Sequence, residues 1–255
     1  MDPFRTLLSC IDLTTLEGSD NNGRIVELCR KACSFGESGL PLPAAVCVYP
    51  PFVRLAKNQL KGTGIRIAAV AGAFPSGQSP LAVRLEEVRY TVNEGADEID
   101  MVISRGRLLE GDESYVFDEI AAIREVCKEV HLKVILETGE LRSPALIRKA
   151  SEIAIAAGTD FIKTSTGKIQ PAATEEAIEI MLEVIREQYE KSGKKIGIKP
   201  AGGISEPDQA LQYYLLIERI LGAGWLNKNL FRIGASRLAD GLAQKIGSSP
   251  TSFLK

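Results

Sequence analysis

Eight short apolar runs alternate with amphipathic helical patterns along the chain, and several runs are apolar at consecutive positions. Such runs favour parallel strands that are buried on both faces. The predicted strands are Leu8–Leu13, Ala44–Tyr49, Ile65–Ala71, Glu98–Ile103, Leu132–Glu137, Phe161–Thr164, Ile196–Lys199 and Phe231–Gly234. The clearest helix is predicted over Pro144–Ala157, with Ser143 as its N-cap and Gly158 beyond its end.

Eight β-α units in 255 residues predict an α/β fold, the (β/α)8 TIM barrel, with residues 1–255 as a single domain. The last segment, GSSPTSFLK from about residue 247, is predicted to be a mobile tail. The stretch YYLLIERILGAGWL at 213–226 is apolar enough to serve either as core or as a contact surface.

Composition argues against several classes of protein. The net charge of −2 gives no broad basic field, so nucleic acid is not an expected partner. Apolar stretches stay below the roughly 18 residues of a membrane span, and the N-terminal apolar run is too short for a signal peptide. We therefore expect a cytoplasmic protein.

Cysteine and histidine usage argues against metal sites. The five cysteines lack the CxxC spacing of a zinc site, and their odd number argues against a disulfide framework. The one histidine, His131, excludes a His-rich metal site. A Ser-His-Asp triad would have to use His131, which precedes a predicted strand.

A weak internal repeat relates two of the predicted strands. GADEIDMV at 95–102 and GTDFIKTS at 158–165 align without gaps, so that Asp100 and Lys163 fall at the same place. These are the fourth and sixth strands, and alternate strands of a TIM barrel contribute to the same interior layer. We therefore expect Asp100 and Lys163 to point inward at similar height, near the C-terminal rim.

Lysines occupy three predicted strands: Lys133 in HLKVILETG, Lys163 in DFIKTSTG and Lys199 in IGIKPAGG. Lysine is depleted in strands and is rarely buried without a partner. One such lysine is ordinarily a salt-bridged or snorkelling side chain. Lys163 and Lys199 end consecutive strands and each precedes a glycine-containing turn, which favours a functional pair.

Two clustered lysines suit covalent catalysis. A nucleophilic amine must be neutral, and lowering the pKa of a lysine to about 7 requires about 4.6 kcal/mol. Apolar surroundings and a second ammonium group both lower that pKa. A lysine activated in this way forms Schiff bases with carbonyl substrates.

Three carboxylates at strand ends are candidates for proton transfer. Asp100 lies in EIDMVIS, Asp12 in CIDLTTL and Glu137 in ILETGEL. Asp12 could equally cap the following turn, as could Thr14 and Thr15. Glu137 could bond a substrate hydroxyl or hold a lysine in place. The sequence leaves these roles open.

Three glycine-containing turns predict a phosphate site. STGK at 165–168 lacks the remaining residues of a nucleotide P-loop. AGGIS at 201–205 and GASR at 234–237 follow the seventh and eighth predicted strands, where phosphate-binding barrels hold the anion beside a short helix. SRLADGLAQKI would supply that helix, with a hydroxyl from Ser236 and a charge from Lys168 or Arg237.

Together, DFIKTSTGK, KPAGGI, ETGEL with IRKASEIA, GADEID and DLTTL resemble the 2-deoxyribose-5-phosphate aldolase family. The resemblance runs from about Asp12 to Ala243. It implies a class I aldolase on a TIM barrel, which cleaves 2-deoxy-D-ribose 5-phosphate reversibly to D-glyceraldehyde 3-phosphate and acetaldehyde in deoxyribonucleotide catabolism. It also implies that neither a metal nor an organic cofactor is needed.

The resemblance implies a role for individual residues. Lys163 would form the Schiff base and Lys199 would lower its pKa. Asp100 would be the general acid and base, assisted by Asp12, Lys133 and an ordered water. The substrate-binding residues would be Cys47, Thr14, Thr166, Gly167, Lys168, Gly202, Gly203, Gly234 and Ser236.

The chain departs from the family pattern at three places. After DMV it reads ISRGRLLEG, where some bacterial members have a Phe-Pro-Tyr segment. Arg237 stands where some members have a second serine, and the chain ends Phe253-Leu254-Lys255 where some end in a tyrosine. The expected partners are a sugar phosphate, acetaldehyde and further copies of the chain, as a homodimer or a higher homo-oligomer. The alternative functions are another Schiff-base barrel enzyme, such as a transaldolase or a ketose-bisphosphate aldolase, a non-catalytic barrel that binds a phosphorylated metabolite, and a purely structural or interaction role.

Overall fold

The computed structural model describes residues 2–248, which form eight strands and eleven α-helices. The strands are β1 Ile11–Thr14, β2 Ala45–Val48, β3 Arg66–Ala71, β4 Glu98–Val102, β5 His131–Ile135, β6 Phe161–Lys163, β7 Gly197–Lys199 and β8 Ile233–Ala235. The helices are α1 Pro3–Ser9, α2 Asn22–Glu37, α3 Val53–Gln59, α4 Leu81–Asn93, α5 Arg105–Leu109, α6 Glu113–Cys127, α7 Thr138–Leu141, α8 Pro144–Ala156, α9 Glu175–Ser192, α10 Pro207–Leu221 and α11 Leu238–Ser248.

The strands form one parallel sheet in the order β7-β6-β5-β4-β3-β2-β1-β8. Isolated parallel bridges join Ile198 to Phe231 and Ala201 to Gly234, which closes the sheet between β7 and β8. Helices alternate with the strands along the chain. The predicted TIM barrel is therefore confirmed.

The apolar core has two parts. The larger cluster draws residues from both strands and helices. A small second cluster consists of Leu16, Ala45, Cys47, Ala68 and Val70, from β2, β3 and the segment after β1. Buried positions of β1 and of β4 to β7 carry acidic and basic side chains instead, so the interior of the barrel contains a charged group beside the small apolar cluster.

Several predicted strand boundaries are wrong by two or three residues, and two of these errors have local reasons. Leu8, predicted to begin the first strand, lies in α1, because Asp2 caps that helix by accepting a hydrogen bond from the backbone N–H of Phe4. The fifth strand ends before Glu137, whose φ of 57° is left-handed and cannot continue a strand. The predicted helix over 144–157 is present, but Ser143 makes no side-chain capping bond.

In the stretch at 213–226, Tyr213, Ile217 and Trp225 are buried and Leu215 is exposed, so it contributes mainly to the core. Within residues 2–248, none of the helices combines the length and the apolar character needed to cross a membrane. α11 continues to Ser248, and the rest of the predicted tail lies outside the described residues.

Candidate active site

Five strands direct charged side chains into the barrel interior: Asp12 on β1, Asp100 on β4, Lys133 on β5, Lys163 on β6 and Lys199 on β7. The parallel register sets Asp100 beside Lys133 and Lys163 beside Lys199. Each of the five is at most 3% exposed. The structure therefore brings together all five residues predicted to be catalytic.

Asp100 lies between three ammonium groups. The Nζ of Lys163 donates to its Oδ2 at 2.8 Å, and the Nζ of Lys199 donates to the same oxygen at 2.7 Å. The Nζ of Lys133 donates to Oδ1 at 2.8 Å. Burial alone would raise the pKa of Asp100, but the three ammonium groups hold this pKa well below its usual range. Asp100 is therefore a carboxylate that contacts the amine of Lys163.

The three lysines differ in basicity. Burial lowers the pKa of Lys163 below its usual value; Asp100 opposes that shift, and the Lys199 ammonium adds to it. Burial also acts to lower the pKa of Lys199, but Asp100 and Asp12 raise it above its usual value. Lys133 has a raised pKa for the same reason, with Asp100 and Glu98 outweighing burial. Lys163 is thus the amine of the three that becomes neutral most readily.

The sequence analysis did not identify two members of this charged group, Glu98 and Arg232. Glu98 accepts two hydrogen bonds from Arg232, at 2.7 and 3.0 Å, and Arg232 also donates to Asp12 at 2.7 Å. A signal was available, because Glu98 lies two residues before Asp100 on β4 and side chains at that spacing share a face. Arg232 likewise lies two residues before Gly234.

The charge balance of the buried side chains indicates which group loses a proton most readily. The buried network contains three carboxylates and four cationic side chains: Asp12, Glu98, Asp100, Lys133, Lys163, Lys199 and Arg232. One uncompensated positive charge in a buried site is unfavourable. A neutral Lys163 balances the network, which agrees with the direction of its pKa shift.

A cavity of about 220 Å³ opens at the carboxyl ends of the strands above Lys163. Its wall includes most of the predicted substrate-binding residues: Thr14, Thr166, Gly167, Lys168, Gly202, Gly203, Gly234 and Ser236. Arg237 also lines it, directly before α11 begins. The N-terminus of a helix and two cationic side chains thus border one cavity, which suits an anionic ligand.

The wall of the cavity depends on close contact between two glycine turns. Gly167 and Gly202 have φ values of 78° and 87°. A Cβ atom at Gly202 would lie 2.6 Å from the Cβ of Ala172 and 2.9 Å from the Cα of Gly167. Glycine is required at position 202 both by its backbone conformation and by this approach.

Glu137 acts on the turn after β6. It accepts hydrogen bonds from the backbone N–H of Thr166 at 3.1 Å and from the Thr166 hydroxyl at 2.5 Å. Glu137 therefore holds the loop beside Lys163. The sequence analysis had considered a direct contact between Glu137 and a lysine. Burial raises the pKa of Glu137, and the hydrogen bonds from Thr166 oppose that shift.

Three further predicted residues have defined surroundings. Cys47 is fully buried in the small apolar cluster and lies outside the wall of the cavity, and burial raises the pKa of its thiol. The hydroxyl of Thr14 donates to the backbone carbonyl of Asp12 at 2.7 Å. The Nζ of Lys168 lies 3.1 Å from Oε1 of Glu17, an acidic residue on the cavity wall that the sequence analysis did not select.

Comparison with known proteins agrees with this geometry. Residues 6–215 match the model of the DeoC/LacD family aldolase. The chain is 46% identical over 249 residues to the human deoxyribose-phosphate aldolase, covering 92% of this chain and 78% of the human one. A Caenorhabditis elegans protein provisionally given the same name is 44% identical over 248 residues, covering 94% and 80% of the two chains.

A solved structure extends the comparison to three dimensions. The apo crystal structure of a Toxoplasma gondii ME49 protein, provisionally named a deoxyribose-phosphate aldolase, superposes with a TM-score of 0.87 at 25% identity, covering 97% of each chain. Both the sequence and the fold of this chain are therefore those of one group of enzymes. The chain belongs to the DeoC/LacD family of aldolases.

Proposed function

We propose that this aldolase cleaves 2-deoxy-D-ribose 5-phosphate reversibly to D-glyceraldehyde 3-phosphate and acetaldehyde, with Lys163 as the Schiff-base lysine. One observation carries the proposal. Lys163, the interior lysine with a lowered pKa, lies on the wall of a cavity whose rim is built from glycine turns and cationic side chains. The names of the relatives add support for the substrate.

The reaction starts at the neutral amine of Lys163. Its Nζ attacks the aldehyde carbon of the open-chain sugar phosphate, and loss of water gives an iminium ion. A base removes the proton from the hydroxyl on the third carbon, the bond between the second and third carbons breaks, and its electron pair moves toward the iminium nitrogen to form an enamine. Glyceraldehyde 3-phosphate leaves. Protonation of the enamine carbon and hydrolysis then release acetaldehyde and restore Lys163.

Asp100 is the acid and base of this scheme, because its Oδ2 lies 2.8 Å from the Lys163 Nζ. Lys199 and Lys133 hold that carboxylate from two sides, at 2.7 and 2.8 Å. Asp12 accepts from Lys199 and from Arg232. An ordered water completes the proton path between Asp100 and the substrate hydroxyl.

The phosphate binds at the rim, against Gly167, Gly202, Gly203, Gly234 and Ser236, with charge from Lys168 and Arg237. Backbone N–H groups and the start of α11 favour an anion there. This grip is remote from the bond that breaks, so its binding energy serves to orient the reacting end.

Borohydride trapping with acetaldehyde tests the proposal. Intact mass and peptide mapping should find one ethyl group on the peptide that contains Lys163, and none in K163R, which keeps the positive charge. An adduct on Lys199 would reverse the roles of the two lysines. No adduct in protein that still binds the sugar phosphate would favour a non-catalytic barrel, and activity on a ketose donor without acetaldehyde chemistry would favour a transaldolase-like enzyme.

The same proposal covers cellular context. We place the enzyme in the cytoplasm, in deoxyribonucleotide catabolism, where its five free thiols suit a reducing compartment. We also propose a homodimer or a higher homo-oligomer. Cell fractionation, and light scattering of the purified chain, measure these two properties directly.

A further inference from the structure

Glu98 begins β4 at a place where a charge is costly. Its side chain is fully buried, and it points to the same side of the strand as Asp100. It lies deeper in the barrel than Asp100, at the level of His131 in the β4–β5 register, whereas Asp100 pairs with Lys133. It is not among the residues that line the cavity. A carboxylate in this position is retained only if its partners compensate its charge.

Cationic groups from three other segments surround Glu98. The Nζ of Lys133 on β5 forms an ion pair with Oε2 of Glu98 at 2.5 Å. Arg232, just before β8, donates to both of its oxygens at 2.7 and 3.0 Å, and Arg66 on β3 donates from the edge of the barrel at 3.0 Å. The paired contact with Arg232 is the bidentate geometry that fixes orientation as well as charge.

Each of the two fully buried cations continues to a carboxylate of the candidate active site. Lys133 reaches Asp100 at 2.8 Å, and Arg232 reaches Asp12 at 2.7 Å. Asp100 and Asp12 in turn share the ammonium group of Lys199. A single cation therefore separates Glu98 from each of the two carboxylates, Asp100 and Asp12, that contact Lys199.

Glu98 also decides the charge balance of the barrel. With a neutral Lys163, the buried network has three carboxylates and three cations; without the charge of Glu98, two carboxylates would face three cations. This surplus positive charge would act on Lys163, which faces Asp100, Lys199 and the thiol of Cys47.

We propose that Glu98 is a positioning residue of the aldolase: it anchors Lys133 and Arg232, and through them it fixes Asp100 and Asp12 where Asp100 meets Lys163. This inference rests on the proposed role of Lys163. Glu98 itself touches neither substrate nor reacting atoms. Its effect on catalysis passes through two hydrogen-bonded cations and through the electrostatic balance of the barrel interior.

The test compares E98Q, which removes the charge at constant shape, with E98D, which keeps the charge on a side chain one methylene shorter. E119Q is the matched control, because Glu119 is also a fully buried carboxylate that is paired with an arginine, Arg84. It lies on α6 in the helical layer, and its other partner, Ser104, follows the end of β4 and does not line the cavity. For each protein, kcat and KM for 2-deoxyribose 5-phosphate, the pH dependence of kcat/KM and the thermal midpoint are measured. The rate of borohydride trapping at Lys163 is followed over the same pH range.

In E98Q we expect kcat to fall by about 10- to 100-fold, with KM changed less than about threefold. Activity requires neutral Lys163 and therefore rises as pH rises through its pKa. Surplus positive charge lowers that pKa, so the rising limb of kcat/KM and of trapping moves to lower pH in E98Q. In E98D we expect a smaller loss of kcat and a rising limb at the same pH as in the wild-type enzyme. E119Q should lower the thermal midpoint while leaving kcat and the limb unchanged.

Three results would overturn the inference. The first is a wild-type kcat in folded E98Q or E98D. The others are a pH profile whose rising limb does not move in E98Q, and a rising limb that moves equally in E119Q. If E98Q does not fold, E98D alone decides, since wild-type kcat in a shortened carboxylate contradicts a positioning role. Failure of the wild-type enzyme to trap acetaldehyde at Lys163 would instead refute the proposed function, so the two failures are distinguishable.

Discussion

The Nζ of Lys163 lies 2.8 Å from Oδ2 of Asp100, yet burial holds the pKa of Lys163 below its usual value. The contact does not restore ordinary basicity, because Lys199 donates to the same oxygen at 2.7 Å and contributes a second positive charge. The pair therefore joins an amine that readily becomes neutral to a carboxylate held in its charged form.

Replacing Lys199 should shift the pH profile. K199M removes the ammonium group that adds to the lowering of the Lys163 pKa, so this pKa should rise and the rising limb of kcat/KM should move to higher pH. Two buried carboxylates also lose a partner, which should cost about 3–5 kcal/mol of stability. The pH dependence of kcat/KM and chemical denaturation measure the two effects. K194M, at an exposed lysine, is the control, and an unchanged profile in K199M would contradict the role assigned to Lys199.

Lys168 should govern the affinity for the phosphate. K168M should raise KM for 2-deoxyribose 5-phosphate by about tenfold, the value of one charge-assisted contact. The rate with unphosphorylated 2-deoxyribose should not change. E17Q removes the carboxylate that pairs with Lys168 and should lower KM, since the ammonium group no longer has to leave that partner. Steady-state kinetics on both sugars decides; equal effects of K168M on the two sugars would exclude a phosphate contact.

Position 202 should tolerate no side chain. G202A places a Cβ 2.6 Å from the Cβ of Ala172, on a residue with a φ of 87°. G193A is the matched control, because Gly193 has a φ of 70° with open space around it. G193A should cost about 1–2 kcal/mol from backbone strain alone. G202A should cost more and should also raise KM for the phosphorylated sugar, whereas equal losses of stability with unchanged KM would show that the contact between the two turns is unimportant.

The barrel should lose stability in acid. The pKa values of Asp12, Glu98 and Asp100 all lie below their usual values in the folded protein, because neighbouring cations outweigh burial. The unfolded chain therefore binds more protons than the folded one below about pH 4. The stabilisation from these groups is complete above that pH and is lost as the pH falls. Urea denaturation at a series of pH values from 7 to 3 should show it, and a free energy of unfolding that stays constant below pH 4 would contradict it.

The sequence predicted the fold and the interior lysines from local patterns. Consecutive apolar residues in runs such as the one around Ile162 indicated buried parallel strands, and lysine at the end of such a run indicated function. The error at Leu8 had a local cause too: Asp2 and Pro3 are a helix start. The contact of Asp100 with Lys163 was predictable because an internal repeat placed both residues at one height.

Partners that are distant in sequence were not predictable. Arg232 and Asp12 are 220 positions apart, and Lys199 and Asp100 are 99 apart. Nothing in the local sequence of Glu98 or Arg232 indicates which residue compensates its charge. The ion pair between Glu17 and Lys168 was identified only from the structure.

The sequence by itself determined the alternation of strands and helices, the strand ends that carry lysine and aspartate, and the turns that require glycine, because each depends on neighbouring residues. The tertiary structure alone decided that Lys163 differs in basicity from Lys133 and Lys199. All three lysines lie in predicted strands, but the pKa of each depends on the balance between its burial and the charges that closure of the barrel places around it.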